Sequence, residues 1–462
     1  MRKENCSFGC SRENIHIGGG AYLGFVTRKI KDAYIVWYDI CGGVGVRNIT
    51  ITGGRPLDGS VNIQGAKNSV LPILAATILG DGESIIENCP DLSDVKNSIE
   101  ILKFMGASVK CDGSSVAINA DNINCGFIPD VMMCVMRSSI IFLGAALSKC
   151  GKAEMSSPGG CELGPRPIDL HLKALKNMGV TINESGGMIY ADGKDIHGGR
   201  IYLDFPSVGA TENIMLAACR INDTTIIQNA AKEPEIWDLQ EFLNRMGAKI
   251  SGAGTDTIII EGVKKLHGAR HRVIADRIVA ATYLYACMMC GGKIELLGAD
   301  CSHFAAVLAS IREMGGEIKT EKNSILLSAP KKIKAIDKLG TLPYPGFPTD
   351  AQAAVVAALC LSDGVSIVTE NIFENRFKHC AELLKMGADI KTLGKVAVIR
   401  GVDNLCGADV LAQELRGGAA LVISGAAAKG TTKVSGIEHI ERGYQDIVGD
   451  LLKLGVDIKL GG

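Results

Sequence analysis

The chain has few aromatic residues, almost no net charge and no long apolar run. Aromatic side chains make up 5% of the 462 residues, and the formal net charge is −1. Because no overall basic field favours nucleic acid or an anionic membrane, any anion site must be a local cluster of cations. No stretch approaches the roughly 18 apolar residues of a membrane span, and the N-terminus lacks a signal-peptide pattern. We therefore expect a globular cytoplasmic protein without nucleic-acid or membrane partners.

The chain is rich in cysteine, with 16 residues. In the cytoplasm these are expected to be reduced thiols, and most stand among apolar residues, which is typical of core packing. Cys287 and Cys290 form a C-x-x-C motif, but their segment has no turn residue and no nearby histidine. We interpret this motif as part of a core helix and not as a metal or redox site.

A unit of about 70 residues recurs six times, as internal repeats of an α/β protein do. In each copy a helix ends in Leu-x-x-Met-Gly or a close variant, and a strand follows. A glycine at this place is typical of the left-handed residue that ends a helix. The six glycines are Gly106, Gly179, Gly247, Gly315, Gly387 and Gly455. Each copy also has a second helix that is too apolar to face water, so we expect it to be buried.

The buried helices begin with polar or charged residues. These are Lys67, Arg137, Ser207, Asp276 with Arg277, Asp350 and Arg416. Helix N-termini carry unpaired N–H groups and partial positive charge, so symmetric packing would bring together ends suited to anions. Three outer helices also begin near an arginine, at Arg166, Arg376 and Arg442. Simple surface capping is the alternative, but the recurrence at equivalent positions favours a shared anion site.

Six units grouped in threes predict two domains. The first spans residues 67–275, and the second combines residues 46–66 with 276–462. The strand at residues 48–52 should complete the sixth unit, so the chain would cross between domains near Gly65 and near Ala275. We interpret residues 1–45 as a poorly ordered extension and not as a metal module.

One segment, residues 156–167, departs from the repeat. It contains three glycines and three prolines, with Cys161 at its centre and Arg166 close behind. Such a loop suits a lid that closes over a substrate. A neighbouring arginine lowers the pKa of a thiol, so Cys161 could act as a nucleophile or as a proton donor, and its spacing does not choose between them. An incidental exposed cysteine is the alternative.

Several long motifs resemble one family, the UDP-N-acetylglucosamine 1-carboxyvinyltransferases. They are GAKNS at residue 65, PGGCELGPRPIDLH at residue 158, PSVGATEN, PGFPTDAQ, FENRF and ERGY, and the resemblance covers residues 46–460. It implies two inside-out α/β prism domains of three units each. It also implies transfer of enolpyruvyl from phosphoenolpyruvate to the 3′-hydroxyl of UDP-N-acetylglucosamine, with release of phosphate. This addition–elimination reaction passes through a tetrahedral intermediate, needs no metal or other cofactor, and begins peptidoglycan precursor synthesis.

The resemblance also implies a role for each matching residue. It makes Cys161 the proton donor, the site of a covalent phosphoenolpyruvate adduct and the target of fosfomycin, and it makes Asp350 the base at the sugar hydroxyl. Lys67 and Arg442 are the other catalytic residues. The implied phosphoenolpyruvate contacts are Lys67, Asn68, Arg166, Arg376, Arg416 and Arg442. The implied UDP-sugar contacts are Arg137, Arg166, Pro167, Ile168, Asp169, Leu170, Asp350 and Ile372.

Three residues depart from the family pattern. Phe205 stands where some members have lysine, Val279 replaces a glutamate, and Glu414 replaces an aspartate. Val279 and Glu414 favour one alternative, a catalytically weak paralogue that binds UDP-sugar and regulates. The shikimate-pathway enolpyruvyl synthase shares the fold and is a further alternative, but Cys161 and the RPIDL motif belong to the UDP-sugar branch.

Overall fold

A computed structural model describes residues 47–124, 126–158 and 168–461 of the chain. The predictions for residues 1–45, Cys161, Arg166 and Pro167 therefore lie outside the described residues and stay predictions.

The six apolar helices, called inner helices below, are buried as predicted. Their side chains are almost all inaccessible to solvent, including the whole of Gln352–Leu359. The last three contact one another pairwise, and the second contacts both the first and the third. The inner helices are Lys67–Ala76, Phe142–Cys150, Val208–Ala218, Arg277–Cys290, Gln352–Leu359 and Leu415–Ala427.

The six outer helices carry one buried face each and end at the repeated glycines. All six glycines have positive φ, for example 113° at Gly106 and 88° at Gly387, which confirms the predicted helix ends. The outer helices are Ser93–Met105, Asp169–Asn177, Pro234–Arg245, Ala305–Glu313, Lys378–Lys385 and Ile447–Lys453. Shorter helical segments are Thr77–Leu79, Asp130–Met133, Arg137–Ile141, Cys301–Phe304, Thr349–Ala351 and Ile437–Ile440.

Six four-stranded sheets cover the helices in the described part of the chain. In each sheet an edge strand runs parallel to the strand that follows an inner helix, and two antiparallel partners complete the order. Three sheets draw only on residues 83–272. Their strands, in sheet order, are Arg270–Arg272, Glu83–Glu87, Ser115–Asn119 and Ser108–Asp112; Phe127–Ile128, Lys152–Ser156, Met188–Asp192 and Thr181–Ser185; and Gly199–Tyr202, Thr224–Gln228, Thr257–Glu261 and Lys249–Ser251.

The other three sheets combine residues 48–62 with residues 292–461. Their strands are Leu57–Asn62, Gly292–Leu297, Ser324–Ser328 and Glu317–Glu321; Lys338–Gly340, Val365–Thr369, Val396–Arg400 and Asp389–Leu393; and Asp409–Leu411, Thr431–Ser435, Asn48–Thr52 and Asp457–Gly461. The strand Asn48–Thr52 thus pairs with two strands of the sixth repeat, as predicted. Two small sheets pair Gly80–Asp81 with Leu266–His267 and Ser362–Asp363 with Ile333–Lys334.

The chain passes between the two sets of sheets at two adjacent places. Leu57–Asn62 lies in a sheet of the second set, and the helix that follows it packs with the first set. Arg270–Arg272 lies in the first set, and the helix after it packs with the second. Gly65 and Ala275 form an antiparallel bridge where the two crossings meet. The two crossings near Gly65 and Ala275 agree with the predicted domains at residues 67–275 and at residues 46–66 with 276–462, whose exact bounds stay predictions.

Candidate active site

The first group of charged residues centres on Asp94, in the first turn of the outer helix Ser93–Met105. Oδ2 of Asp94 lies 2.6 Å from Nζ of Lys67, and Oδ1 accepts a hydrogen bond of 3.0 Å from Nε of Arg442. The side chain of Asp94 is only 3% exposed. Lys67 belongs to the first repeat and Arg442 to the sixth, so one buried carboxylate joins two of the predicted phosphoenolpyruvate contacts.

The two cations keep Asp94 ionised. Burial alone would raise the pKa of this carboxyl group, because the charged form loses its water. The charges of Lys67 and Arg442, with their hydrogen bonds, outweigh burial and hold the pKa below its usual value. Asp94 is therefore a fixed counterion at neutral pH. Asn68, the residue after Lys67, is exposed at the start of the same helix.

The second group centres on Asp350, in the helical turn Thr349–Ala351 that precedes the fifth inner helix. Oδ1 of Asp350 lies 2.7 Å from Nη2 of Arg376, and Oδ2 lies 3.3 Å from Nη2 of Arg416. Both arginine side chains are buried, whereas that of Asp350 is 27% exposed. The structure thus brings together three residues that the sequence places far apart.

The two arginines of this group have hydrogen-bonding capacity to spare. Within the described residues, Nε of Arg376 and both Nε and Nη1 of Arg416 are buried without an acceptor. Unsatisfied buried donors are costly, and those on a charged group more so. An anion that reached these atoms would satisfy them, which is the geometry expected of a phosphate or carboxylate site.

Tyr444 contacts the second group, Asp276 contacts the first, and the charges of both act on Arg416. The guanidinium carbon of Arg416 lies 5.6 Å from the ring centroid of Tyr444, two residues beyond Arg442. Oδ2 of Asp276 accepts a hydrogen bond of 3.1 Å from the backbone N–H of Lys67. Burial would lower the pKa of Arg416, but Asp350, Tyr444 and Asp276 raise it above the usual value. The guanidinium group therefore stays charged although it is buried.

Across the two groups, four cationic side chains meet two carboxylates. Asp276 is a third carboxylate near both groups, so the cations exceed the carboxylates by one, and an anionic ligand would be balanced by this remaining charge. Two pairs of the predicted helix starts are in direct contact, Lys67 with Asp276 and Asp350 with Arg416, and the charge of Asp276 also acts on Arg416.

Ile372 lies in the loop that leads to Arg376, and buried Glu370 shapes this loop. Oε1 of Glu370 accepts hydrogen bonds from the backbone N–H groups of Ile372 and Phe373, at 2.9 and 3.1 Å. The same oxygen accepts from Oγ1 of Thr341 at 2.8 Å. Glu370 is fully buried. It therefore fixes the backbone next to the second group of charges.

Arg137 and the start of the second outer helix make a separate region. Arg137 opens the helical turn Arg137–Ile141, while Ile168, Asp169 and Leu170 begin the helix Asp169–Asn177. His171 is buried in that helix, and its Nδ1 accepts a 2.7 Å hydrogen bond from the side-chain amide of Asn213. Burial, with a smaller effect of the Arg137 charge, lowers the pKa of His171 to about 4. The charge effect indicates that Arg137 lies near this helix, and the assignment of both to the UDP-sugar stays a prediction.

Sequence reasoning missed Asp94, Glu370 and Tyr444. Asp94 stands in the first turn of a helix, where an acidic residue is usually explained by favourable interaction with the helix dipole. Glu370 directly follows the strand Val365–Thr369, and Tyr444 belongs to the ERGY motif, in which only the arginine was singled out. Their contacts join residues distant in sequence, so no local pattern marks them.

A further pair missed in the sequence joins the two sets of repeats. Arg277, at the start of the fourth inner helix, binds Glu235 of the third outer helix through Nε–Oε1 at 2.9 Å and Nη2–Oε2 at 3.3 Å. Both side chains are buried. Burial would lower the pKa of Arg277, but Glu235 and its neighbours raise it. This ion pair holds the crossing at Ala275 in place.

The three departures from the family pattern differ in setting. Phe205 is 42% exposed, whereas Val279 is fully buried in the core around the last three inner helices. Glu414 is buried at the start of the sixth inner helix, directly before Arg416. Of the three, Glu414 alone contacts the backbone of a candidate site residue, through the N–H of Arg416 at 2.9 Å.

The described cysteines support a structural interpretation. Cys287 is buried in the core, and burial raises the pKa of its thiol to about 12. Cys290 is partly buried, and its pKa is raised as well. Within residues 47–124, 126–158 and 168–461, no group of three or more histidine, cysteine or acidic side chains has the arrangement of a metal site. None of the described helices is long and apolar enough to cross a membrane.

A family profile places the chain among the enolpyruvyl transferases, and its fold is similar to theirs. The profile of the EPSP synthase (3-phosphoshikimate 1-carboxyvinyltransferase) family matches residues 51–451. Among solved structures, the enolpyruvyl transferase NikO from Streptomyces tendae is similar with a TM-score of 0.82, at 24% identity, covering 90% of this chain and 99% of that one. EPSP synthase from Acinetobacter baumannii has a TM-score of 0.72 at 17% identity and covers 90% and 100%. These likenesses show the fold of two α/β prism domains with three repeats each.

Relatives of higher sequence identity show to which enolpyruvyl transferase family the chain belongs. UDP-N-acetylglucosamine 1-carboxyvinyltransferase 2 of Caldanaerobacter subterraneus subsp. tengcongensis is 54% identical over 88% of this chain and 98% of its own length. UDP-N-acetylglucosamine 1-carboxyvinyltransferase 1 of Symbiobacterium thermophilum is 48% identical over 88% and 94%. The chain belongs to the family of UDP-N-acetylglucosamine 1-carboxyvinyltransferases, which confirms the resemblance inferred from the motifs.

Proposed function

We propose that this protein transfers enolpyruvyl from phosphoenolpyruvate to the 3′-hydroxyl of UDP-N-acetylglucosamine and releases phosphate. The reaction is the first committed step of peptidoglycan precursor synthesis. Family membership supports the reaction class and the acceptor. The observation that carries the proposal is the group of Asp350, Arg376 and Arg416, where a carboxylate lies beside buried guanidinium donors that have no acceptor among the described residues.

Phosphoenolpyruvate carries a phosphate and a carboxylate, and both need fixed cations. In our proposal Arg376 and Arg416 bind through their unused N–H groups, while Lys67 and Arg442, held by Asp94, bind from the other group. Asn68 and Arg166 complete the contacts. Arginine suits these anions because its planar fork can donate two parallel hydrogen bonds to one oxyanion.

The UDP-sugar occupies the region of the second repeat in our proposal. Arg137 supplies charge for the nucleotide, and residues 166–170 contribute from the start of the second outer helix. Asp350 and Ile372 reach the sugar from the other set of repeats. Asp350 would then contact both the UDP-sugar and the arginines that bind phosphoenolpyruvate, as expected of a residue between the two reacting substrates.

In the proposed chemistry, Asp350 accepts the proton of the sugar 3′-hydroxyl as its oxygen bonds to C2 of phosphoenolpyruvate. Cys161 donates a proton to the methylene carbon C3, which gives a tetrahedral intermediate. In the elimination the Cys161 thiolate takes a proton back from C3, the double bond between C2 and C3 returns, and the bond from C2 to the phosphate oxygen breaks. The proton held by Asp350 leaves with the phosphate, which restores both residues. General acid–base catalysis of this kind is worth about 10²–10⁴-fold per group. Closure over the intermediate would exclude competing water.

Cys161 is also the residue that we expect to form a covalent phosphoenolpyruvate adduct and to be alkylated by fosfomycin. We propose that no metal or organic cofactor takes part and that the partners are the two small-molecule substrates. We further propose that the enzyme acts in the cytoplasm. The free thiols found at every described cysteine fit a reducing compartment.

The acceptor assay tests this function. Phosphate release from phosphoenolpyruvate is measured with UDP-N-acetylglucosamine and, separately, with shikimate 3-phosphate. We expect release with the first alone. Release with shikimate 3-phosphate would assign the protein to the other branch, and release with neither despite UDP-sugar binding would identify a regulatory paralogue.

A matched pair of variants tests the site within the same assay. Asp350→Asn removes the proposed base and should reduce turnover by about 10²-fold or more. Asp363→Asn changes an exposed aspartate that forms a surface ion pair with Lys332, and it should leave turnover unchanged. Equal turnover in both variants would contradict the role of Asp350.

A further inference from the structure

The start of the sixth inner helix has an unusual cap. Glu414 precedes Leu415–Ala427, and its carboxylate accepts hydrogen bonds from the backbone N–H groups of Arg416 and Gly417, the first at 2.9 Å. These N–H groups belong to the second and third helical residues, which have no partner within a helix. The side chain of Arg416 extends from this turn to Asp350. The cap therefore fixes the backbone from which a site arginine projects.

Gly417 makes room for this cap. A β-carbon at residue 417 would lie 2.5 Å from Oε1 of Glu414 and 2.9 Å from Cβ of His379. Both distances are too short, and neither neighbour can move freely. Oε1 of Glu414 accepts from the N–H of Gly417 and Oε2 from the N–H of Arg416, so the carboxylate is held at both oxygens, and His379 is buried in the helix that follows Arg376. A methyl group would thus press on the cap that holds the backbone of Arg416 and on the helix that follows Arg376.

The fourth repeat provides an internal comparison. Its inner helix begins with Asp276, whose Oδ1 accepts from the same two helical positions, Ile278 at 2.9 Å and Val279 at 3.0 Å. In the fourth repeat the shorter acid, Asp276, caps a helix whose third residue, Val279, has a β-carbon. In the sixth repeat the longer acid, Glu414, caps a helix whose third residue is Gly417. Of the six inner helices, these two have an acidic side chain as cap.

We propose that Glu414 and Gly417 are a matched pair of positioning residues that set the place of Arg416. The pair determines how tightly the site binds phosphoenolpyruvate; this consequence rests on the proposed function. The longer acid at position 414 is then a compensated change and not a mark of lost activity. Because the fourth repeat has the alternative arrangement, the double variant Glu414→Asp/Gly417→Ala should recreate it.

The test compares Gly417→Ala, Glu414→Asp and the double variant in the full-length protein. Gly417→Ala should raise the KM for phosphoenolpyruvate by about tenfold or more, because small displacements of a binding group are expensive. The KM for UDP-N-acetylglucosamine should change far less. Glu414→Asp should have a mild effect since aspartate is itself a good cap. The double variant should recover most of the affinity that Gly417→Ala loses.

Thermal unfolding of the same proteins tests the pair without reference to activity. Gly417→Ala should lower the melting temperature, and Glu414→Asp in the same chain should restore most of it. If the changes in melting temperature caused by the two substitutions simply added, the pairing would be wrong, because substitutions at two residues in steric contact are expected to have non-additive effects. If the wild type released phosphate with neither UDP-N-acetylglucosamine nor shikimate 3-phosphate, the proposed function would be wrong. The melting temperatures would still show whether Glu414 and Gly417 act as a pair.

Gly418→Ala is the control. A β-carbon there would meet Ala412 and Ile440, both at 2.8 Å, and not Glu414. It should lower the melting temperature without a selective rise in the KM for phosphoenolpyruvate, and Glu414→Asp should not rescue it. A selective rise equal to that of Gly417→Ala would show that helix disturbance alone explains the effect, and the positioning role would then be wrong.

Discussion

Replacement of Asp94 by asparagine should destabilise the protein and weaken the binding of phosphoenolpyruvate. The carboxylate is 3% exposed and is the shared partner of Lys67 at 2.6 Å and Arg442 at 3.0 Å. Asparagine keeps the shape of the side chain and removes its charge, so two cations lose their counterion. Removing one partner of a buried ion pair costs about 3–5 kcal/mol.

Solvent reduces the expected loss. The side chain of Arg442 is 33% exposed, so water screens part of its interaction with Asp94. We therefore expect the free energy of unfolding to fall by about 2–4 kcal/mol at pH 7. The KM for phosphoenolpyruvate should rise by roughly tenfold, because Lys67 and Arg442 are no longer held in one geometry.

The pH dependence separates this ion pair from simple packing. The folded pKa of Asp94 lies below its unfolded value of about 3.9, so its stabilisation is fully present above that value and is lost as pH falls through the folded pKa. The stability difference between wild type and Asp94→Asn should thus shrink below about pH 4. Urea unfolding at several pH values measures it.

Asp91 offers the matched control. It lies three residues earlier and forms an exposed ion pair with Lys96, in which the two side chains are 63% and 64% exposed. Asp91→Asn should change stability by less than about 1 kcal/mol. If Asp94→Asn unfolded at the same urea concentration as this control at pH 7, with an unchanged KM, the buried ion pair would have no such role.

Four further predictions follow from the site and its surroundings. Cys161→Ala should abolish turnover at neutral pH while calorimetry still detects UDP-sugar binding, whereas Cys134→Ala, at an exposed described cysteine, should keep full turnover. Arg442→Ala should raise the KM for phosphoenolpyruvate, and a selective loss of UDP-sugar affinity would contradict our assignment. Dialysis against a chelator should leave the rate unchanged, and a loss restored by a divalent ion would refute the cofactor proposal. The pKa of buried His171 is lowered to about 4, so as pH falls below about 6.5 the histidine of the unfolded state is protonated before that of the folded state. The free energy of unfolding of the wild type should therefore decrease between about pH 6.5 and pH 4, and that of His171→Gln should decrease less.

The sequence alone was enough for the repeats, the buried helices and the helix ends. Apolar residues at helical spacing and a glycine at a fixed place are local patterns, and the helix and the helix end that they predict depend on residues close together in the sequence. The strand Asn48–Thr52 could be assigned to the sixth sheet because it precedes the first unit of the repeat. The motifs were long enough to identify the family.

The tertiary structure decided which charged residues meet. Asp94 lies 27 residues from Lys67 and 348 from Arg442, and only the packing of the first repeat against the sixth brings all three together. The same holds for Asp350 between Arg376 and Arg416, and for Glu414, whose fit depends on a glycine and on a histidine from another helix. Electrostatic and steric effects depend on distance in space, and a repeat pattern does not specify which side chains become neighbours. The sequence therefore determined the framework and the residue types, and the folded arrangement determined their partners.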